Sequence, residues 1–233
     1  MINLFFPVLV LVMFGGLLGG AIAGSVGGYF QFAVPGVLAV TMLFGIETTM
    51  TAVASDAAKT ITDRFRSLPI GSASVLAGRC LADMTASVLG LAVTIAAGLA
   101  LGWRPSASLA GMLAAVGLLL WFRFGLLWVG LWAGLKAHGP EAVVSVQILV
   151  WPVIMLSTVF VDTTTMPGWL ASIAQWNPLS ATATAVRDLL TAPATGSPSW
   201  PAEHAMLLAV VFPLVATAVA GPISARAYRN LDR

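Results

Sequence analysis

Charge is what this sequence has least of. Of 233 residues only 9% are Asp, Glu, Lys or Arg, while 59% are hydrophobic. Soluble domains carry about 25% charged residues, so too little polar side chain exists here to keep a water-soluble fold in solution. Cysteine is nearly missing as well: Cys80 stands alone, which excludes an intramolecular disulfide and a cysteine metal cluster. The two histidines, His138 and His204, fall outside the long apolar runs, so neither a His-based metal site nor a His-based catalytic centre is expected. No G-x-x-x-x-G-K-[ST] phosphate loop occurs, and without one the chain cannot cradle ATP in the usual way. The D-G-x-x-A-R pattern of lipid phosphotransferases is absent too, as is a histidine within a span of the kind an intramembrane serine protease needs. The chain is therefore expected to hold no catalytic residue, no metal and no cofactor. Nothing in it points to nucleic acid.

Long apolar runs are abundant, and the mean hydropathy is +0.96. A membrane-spanning helix needs about 20 apolar residues, and six runs approach or exceed that length: 4–23, 32–54, 80–103, 109–135, 142–161 and 205–225. The expected fold is an all-α integral membrane protein, one transmembrane domain over residues 1–233 with six spans. Ala21-Ile22-Ala23 has the small residues of a signal-peptide cleavage site, but no Lys or Arg precedes the first run. A signal peptide requires that basic start, so the run is read as a span. No repeat relates the two halves, which disfavours the inverted-repeat plan common among secondary transporters.

The few cations are placed unevenly. Lys59, Arg64, Arg66 and Arg79 lie between the second and third spans, Lys136 between the fourth and fifth, and Arg226, Arg229 and Arg233 after the sixth. The opposite side has Arg104 and Arg187, and Arg123 falls inside span four. Positive charge marks the cytoplasmic side, so eight against two predicts that both termini and the 55–79 segment are cytoplasmic.

That segment opens with "SDAAKTITDRFRSLPI", five of the chain's twenty acidic and basic residues within sixteen positions. Ala58, Ile61, Phe65 and Leu68 recur at helical spacing on one face, with Asp56, Lys59, Asp63 and Arg66 on the other. With Ser55 as N-cap and Pro69 and Gly71 as stops, the pattern predicts a short amphipathic helix over 55–69. Two readings follow. The helix lies in the lipid headgroups, apolar face down, or it docks into a partner protein through its mixed charges. Periodicity does not choose between them.

The run "DRFRSLPIGSASVLAGRCLADM" resembles the cytoplasmic signature of ABC-2-type transporter permeases, in particular the daunorubicin-resistance exporter branch. Asp63, Arg64, Phe65, Arg66, Ser67, Leu68, Pro69, Gly78, Arg79, Ala82 and Asp83 carry the resemblance. The six-run layout, the hydrophobic outer segment with its Asn-Pro and the basic C-terminus extend it over nearly the whole chain. The resemblance implies that 55–69 is a coupling helix seated in a separate ABC ATPase subunit, with Lys59, Asp63, Arg64, Phe65, Arg66, Ser67, Leu68 and Pro69 as the docking residues. It also implies two such ATPases, which would bind ATP and Mg, and a second permease subunit, identical or homologous. Family members carry a cytoplasmic elbow helix ahead of span one. Here only Met1, Ile2 and Asn3 precede the first run, a departure from that pattern.

Between spans five and six, "MPGWLASIAQWNPLSATATAVRDLL" predicts two short helices over about 167–191, each too short to cross a bilayer. Pro167 can open the first, and Asn177 can cap the second with Pro178 at its first position. The pair reads either as an interfacial hairpin anchored by Trp169 and Trp176 or as re-entrant helices closing an outer mouth. The resemblance implies the second, with Pro167, Trp169, Asn177, Pro178 and Arg187 in the outer gate. Glu47 and Arg123 sit inside spans two and four, where a charge costs a few kcal/mol. They read as a structural ion pair or as polar lining of a pathway. Asp83 has Arg79 at the i−4 position as its expected partner. Gly15, Gly16, Gly19 and Gly20 form overlapping small-residue pairs in span one, and the resemblance places the contact between permease subunits there. Trp121, Phe124, Trp128 and Trp132 make an aromatic stripe on span four, expected to face lipid or core.

The leading expectation is the membrane subunit of an ATP-driven exporter in a bacterial cytoplasmic membrane, surrounded by lipid and moving lipophilic drugs or lipids; other ABC-2 members export polysaccharides. The competing reading is a stand-alone secondary transporter or channel that works through Glu47 and Arg123.

Overall fold

The computed structural model describes residues 2–23, 26–58, 72–137, 140–191 and 199–230. Every element among them is helical: α1 (Ile2–Ala23), α2 (Val26–Ala58), α3 (Ser72–Ala100), α4 (Leu109–Lys136), α5 (Pro140–Met155), a 3-10 turn (Thr163–Thr165), α6 (Gly168–Gln175), α7 (Pro178–Leu190), α8 (Trp200–Glu203) and α9 (Ala205–Asn230). Four helices are long and apolar enough to cross a membrane, over Gly27–Asp56, Ser74–Ala100, Leu109–Lys136 and Ala205–Ala227. Shorter apolar helices run over Phe6–Gly16 and Ala142–Met155.

α2 is the hub. Its apolar stretch is 72% buried, against 22% for α3 and 22% for α9, because α1, α3, α4, α5 and α7 all pack on it. Leu38, Val40 and Met42 of α2 meet Leu119 and Phe122 of α4 and Val186 of α7 in one core. Close approach of α4 to α2 depends on Gly130 and Gly134, a G-x-x-x-G pair. A Cβ at Gly130 would lie 3.0 Å from the Ile46 carbonyl, and one at Gly134 would lie 2.7 Å from Cβ of Val53. On its other side α4 packs on α9, where Trp121 Nε1 donates to the Val210 carbonyl (3.1 Å) and Ser224 Oγ to the Trp128 carbonyl (3.1 Å). The aromatic stripe is thus largely the α4–α9 seam, and Trp132, 41% exposed, continues it outward.

Helix ends depart from the expected spans: α2 begins at Val26, ahead of the expected 32, α9 runs to Asn230, past the expected 225, and three further elements differ. The helix predicted to begin at Ser55 does not: α2 runs unbroken through Ser55 and Asp56 to Ala58. Asp56 is held there by Arg79 across the α2–α3 pair, so these residues extend the span. The remainder of the predicted coupling helix lies outside the described residues. α3 starts at Ser72, ahead of the expected 80, and ends in a Schellman turn. Trp103 N–H donates to Gly98 (2.9 Å) and Gly102 N–H to Leu99 (3.2 Å), with Gly102 at φ +99° as the left-handed residue this turn requires. α5 stops at Met155, short of the expected 161, and its 16 residues reach only about 24 Å at 1.5 Å per residue. Ser157, Thr158, Val159 and Phe160 continue as buried, non-helical chain. The Thr158 and Val159 carbonyls, and those of Val153 and Leu156 at the end of α5, are taken by side chains of the outer segment.

Candidate functional site

Three polar constellations lie within the apolar body. The first surrounds Arg123, 1% exposed in mid-α4. Its Nη2 donates to Thr49 Oγ1 of α2 (2.6 Å) and its Nε to Ser87 Oγ of α3 (3.0 Å). Thr49 Oγ1 in turn donates to Asp83 Oδ2 (2.7 Å), which lies 3.7 Å from Arg123 Nη2. Space for the guanidinium comes from Gly45, where a Cβ would sit 2.7 Å from Cδ of Arg123 and nearer still to the guanidinium. Gly45 and Thr49 are one turn apart and present the same face of α2 to α4. A buried guanidinium is tolerated only when paired and hydrogen-bonded; α2 and α3 supply partners for Nε and Nη2 here, while Nη1 has none. Asp83 is therefore the partner of Arg123, and Arg79 pairs with Asp56 instead, which corrects the expected Arg79–Asp83 bridge.

Glu47 does not meet Arg123. It lies two residues from Gly45, about 200° around the helix at 3.6 residues per turn, and faces α5. There its Oε2 accepts from Gln147 Nε2 (3.1 Å), while its Oε1 is buried with no hydrogen-bond partner. One turn along the same two helices, Phe44 and Trp151 meet edge to face at 6.0 Å, and Phe6 of α1 closes a triangle at 5.1 Å from Phe44 and 6.0 Å from Trp151.

The third constellation ties α7 to the end of α5. Asn177 caps two helices at once. Its Oδ1 accepts from Leu179 N–H (2.9 Å) at the start of α7, and its Nδ2 donates to the Val153 (2.7 Å) and Leu156 (2.8 Å) carbonyls, which α5 leaves unpaired at its C-terminus. Pro178 follows as the first helical residue, as expected. Ser180 Oγ accepts from Thr158 N–H (2.9 Å). Arg187 Nη2 donates to the Thr158 (2.8 Å) and Val159 (2.9 Å) carbonyls and its Nε to the Phe32 carbonyl (2.9 Å), with its guanidinium 3.9 Å over the Phe32 ring. Burial lowers the Arg187 pKa to about 10, opposed by Asp162, Asp188 and Tyr29, so the side chain stays charged at neutral pH. Of the two outer helices, α7 is buried among α2, α4 and α9, while α6 exposes Trp169 (69%) and Ile173 (50%). Pro167 is the N-cap of α6, and Trp176 stacks on Trp200 at 5.8 Å.

The small-residue pairs of α1 are used differently from the expectation. Gly15 faces α2 of its own chain, where an added Cβ would collide with the Phe30 ring, whereas Gly16 opens outward with nothing within 4 Å. The surroundings of Gly19 and Gly20 lie outside the described residues, as do the docking residues Lys59, Asp63, Arg64, Phe65, Arg66, Ser67, Leu68 and Pro69. Thr49, Ser87, Gly45 and Gln147 were not singled out by sequence reasoning. Ordinary polar and small residues in apolar runs carry no signal until a neighbouring helix is placed against them. Gly130 and Gly134 did carry one, in their four-residue spacing.

Several bilayer-length apolar helices, with charged side chains buried between them, define a multi-pass membrane protein. The chain belongs to the ABC-2 type transporter family, whose match covers residues 1–191. Among curated proteins it is similar to the daunorubicin resistance ABC transporter permease protein DrrB1 of Streptomyces coeruleorubidus, 37% identical over 225 residues, which is 96% of this chain and 77% of that protein. The resemblance carried by residues 63–83 thus holds across nearly the whole sequence. It makes the chain a membrane component of the ABC-2 transporter family.

Proposed function

We propose that this chain is the permease subunit of an ATP-driven exporter that moves a lipophilic, drug-like or lipid substrate out of the cytoplasm or inner leaflet. The 37% identity to a daunorubicin resistance permease over 96% of the chain carries this reading. Two copies of a separate ABC ATPase subunit, binding ATP and Mg, supply the energy, and a second permease subunit completes the path. In this reading α1, α2, α3, α4, α5 with the chain to 161, and α9 are the six spans, with both termini cytoplasmic in a bacterial plasma membrane. Non-helical backbone at membrane depth is stable only where protein covers it, and the donors from Asn177 and Arg187, with the Ser180 hydroxyl accepting from Thr158 N–H, support that role for the end of span five. The outer helices, with Pro167, Trp169, Asn177, Pro178 and Arg187, then close the extracellular mouth, and outward-facing Gly16 lies toward the second permease.

The 59–69 connection is the dock for the ATPase. Support comes from its two ends: Asp56 and Arg79 bind the last turn of α2 to the first turns of α3, and Thr49, Asp83 and Arg123 bind both to α4 deeper down. A force applied to the connection therefore moves three helices as one body. Co-expression with the cognate ATPase and affinity capture tests this. Replacing Arg64, Phe65 and Arg66 together with Ala is expected to abolish capture and ATP-dependent efflux while the permease still accumulates in the membrane. Undiminished capture and efflux would overturn the dock. Gradient-driven transport by the chain alone would overturn the exporter.

A further inference from the structure

Arg187 is 7% exposed, yet among the described residues no carboxylate lies within ion-pair reach of it. Its hydrogen bonds end on the Phe32, Thr158 and Val159 carbonyls, and the Phe32 ring lies beneath it. Asp162 and Asp188 act on it only from farther off. Asp162 Oδ1 is already engaged by the N–H and the hydroxyl of Thr164, both at 2.8 Å, and Asp188 is exposed. A buried cation held by dipoles alone, without a counter-charge, is costly.

Two hydroxyls beside it lack acceptors. Tyr29 is 1% exposed and Thr158 is 8% exposed, and the hydroxyl oxygen of each is buried with no hydrogen-bond partner. Thr158 adjoins the guanidinium through its carbonyl. Tyr29 reaches Arg187 electrostatically, and its position in α2 shows why. Tyr29, Phe32 and Gly36 share one face of α2 by their spacing of three and four. The Phe32 carbonyl on that face takes Arg187 Nε, and a Cβ at Gly36 would sit 3.0 Å from Nη2. A buried hydroxyl needs a partner, and a buried guanidinium needs a negative charge. Water meets the first need alone and a cation meets neither, whereas one small anion meets both. The seam is close-packed, since the same Cβ would lie 2.9 Å from Cγ1 of Val159. That favours a single-atom anion over a phosphate.

We propose that Arg187, Tyr29 and Thr158 form a binding site for a halide, chloride in physiological salt, between α2, α7 and the chain that follows α5. The ion accepts from both hydroxyls and neutralises the guanidinium. It thereby fastens α7 and the non-helical 157–160 chain to the start of α2. The site goes beyond the exporter reading and does not depend on it.

The full chain, purified in detergent in sodium gluconate, is titrated with sodium chloride at constant ionic strength. The unfolding midpoint and the line broadening of the chloride NMR signal are followed together. Chloride is expected to raise the midpoint by several degrees and to saturate. Tyr29→Phe and Thr158→Val each delete one hydroxyl and keep the side chain's shape. Each is expected to weaken the apparent chloride affinity at least about tenfold, the worth of a hydrogen bond to a charged partner. In gluconate both variants unfold close to the unaltered protein, because the deleted hydroxyls have no protein partner there. A midpoint indifferent to chloride, a rise that never saturates, or an unchanged chloride response in either variant overturns the site. None of these outcomes bears on the exporter reading, whose test is ATPase capture.

Discussion

Asp83 and Asp56 show how depth decides what a charged residue is worth. Both are aspartates that face an arginine on a neighbouring helix, but Asp83 of α3 neutralises an α4 arginine that is 1% exposed, while the Asp56–Arg79 side chains of the α2–α3 pair are 40% and 20% exposed. Asp83→Asn leaves Arg123 charged and buried without a counter-charge, and breaking such a pair costs about 3–5 kcal/mol. Asp56→Asn breaks a solvent-screened pair worth about 1 kcal/mol or less. Thermal unfolding in detergent is expected to separate the two variants clearly, with Asp83→Asn losing most of the folded protein. Equal midpoints would show that Asp83 is not what holds Arg123. The same geometry makes Gly45→Ala damaging, since the new methyl occupies the space of the guanidinium.

At the scale of the element, the end of α5 depends on a residue 21 to 24 positions away. Asn177 supplies both the first cap of α7 and two donors for α5, beside the Ser157 hydroxyl, which donates to the Ile154 carbonyl (2.6 Å). Asn177→Asp keeps the oxygen that caps α7 but replaces the two donors with a charged acceptor facing carbonyls. Asn177→Ala removes all three bonds. Caps are worth about 1 kcal/mol each, and each hydrogen bond lost at the end of α5 costs about 0.5–1.5 kcal/mol. The expected order of stability is therefore the unaltered protein, then Asn177→Ala, then Asn177→Asp, because the aspartate adds repulsion to what the alanine merely omits. Hydrogen exchange at residues 153–160 is the direct measurement. Protection unchanged in Asn177→Asp would remove the double cap.

For the whole molecule, Cys80 offers a single native reporter of orientation. It lies half-buried near the start of α3, one residue beyond Arg79. With the 55–79 segment cytoplasmic, a membrane-impermeant maleimide is expected to label Cys80 in inside-out vesicles and not in right-side-out ones. Labelling from the outside would reverse the assigned orientation of all the helices. The measurement uses the unaltered chain, so no substitution complicates it.

The sequence by itself determined that this chain is an all-helical membrane protein, because 9% charge and long apolar runs leave no other stable solution. It also placed Asn177 and Pro178 at a helix start, since capping is local chemistry within four residues. Residues 63–83 carried enough spacing to point to the family. Partnerships between spans were beyond it. Glu47 and Arg123 looked like natural partners by charge alone, yet two residues of helix turn Glu47 away from Gly45 and toward Gln147. Arg123 found Asp83, forty residues back along the chain, through the packing of α2, α3 and α4. Only the tertiary structure decided these pairings, because which face of one helix meets which face of another is set by the fit of all the side chains between them, and no single stretch of sequence contains that information.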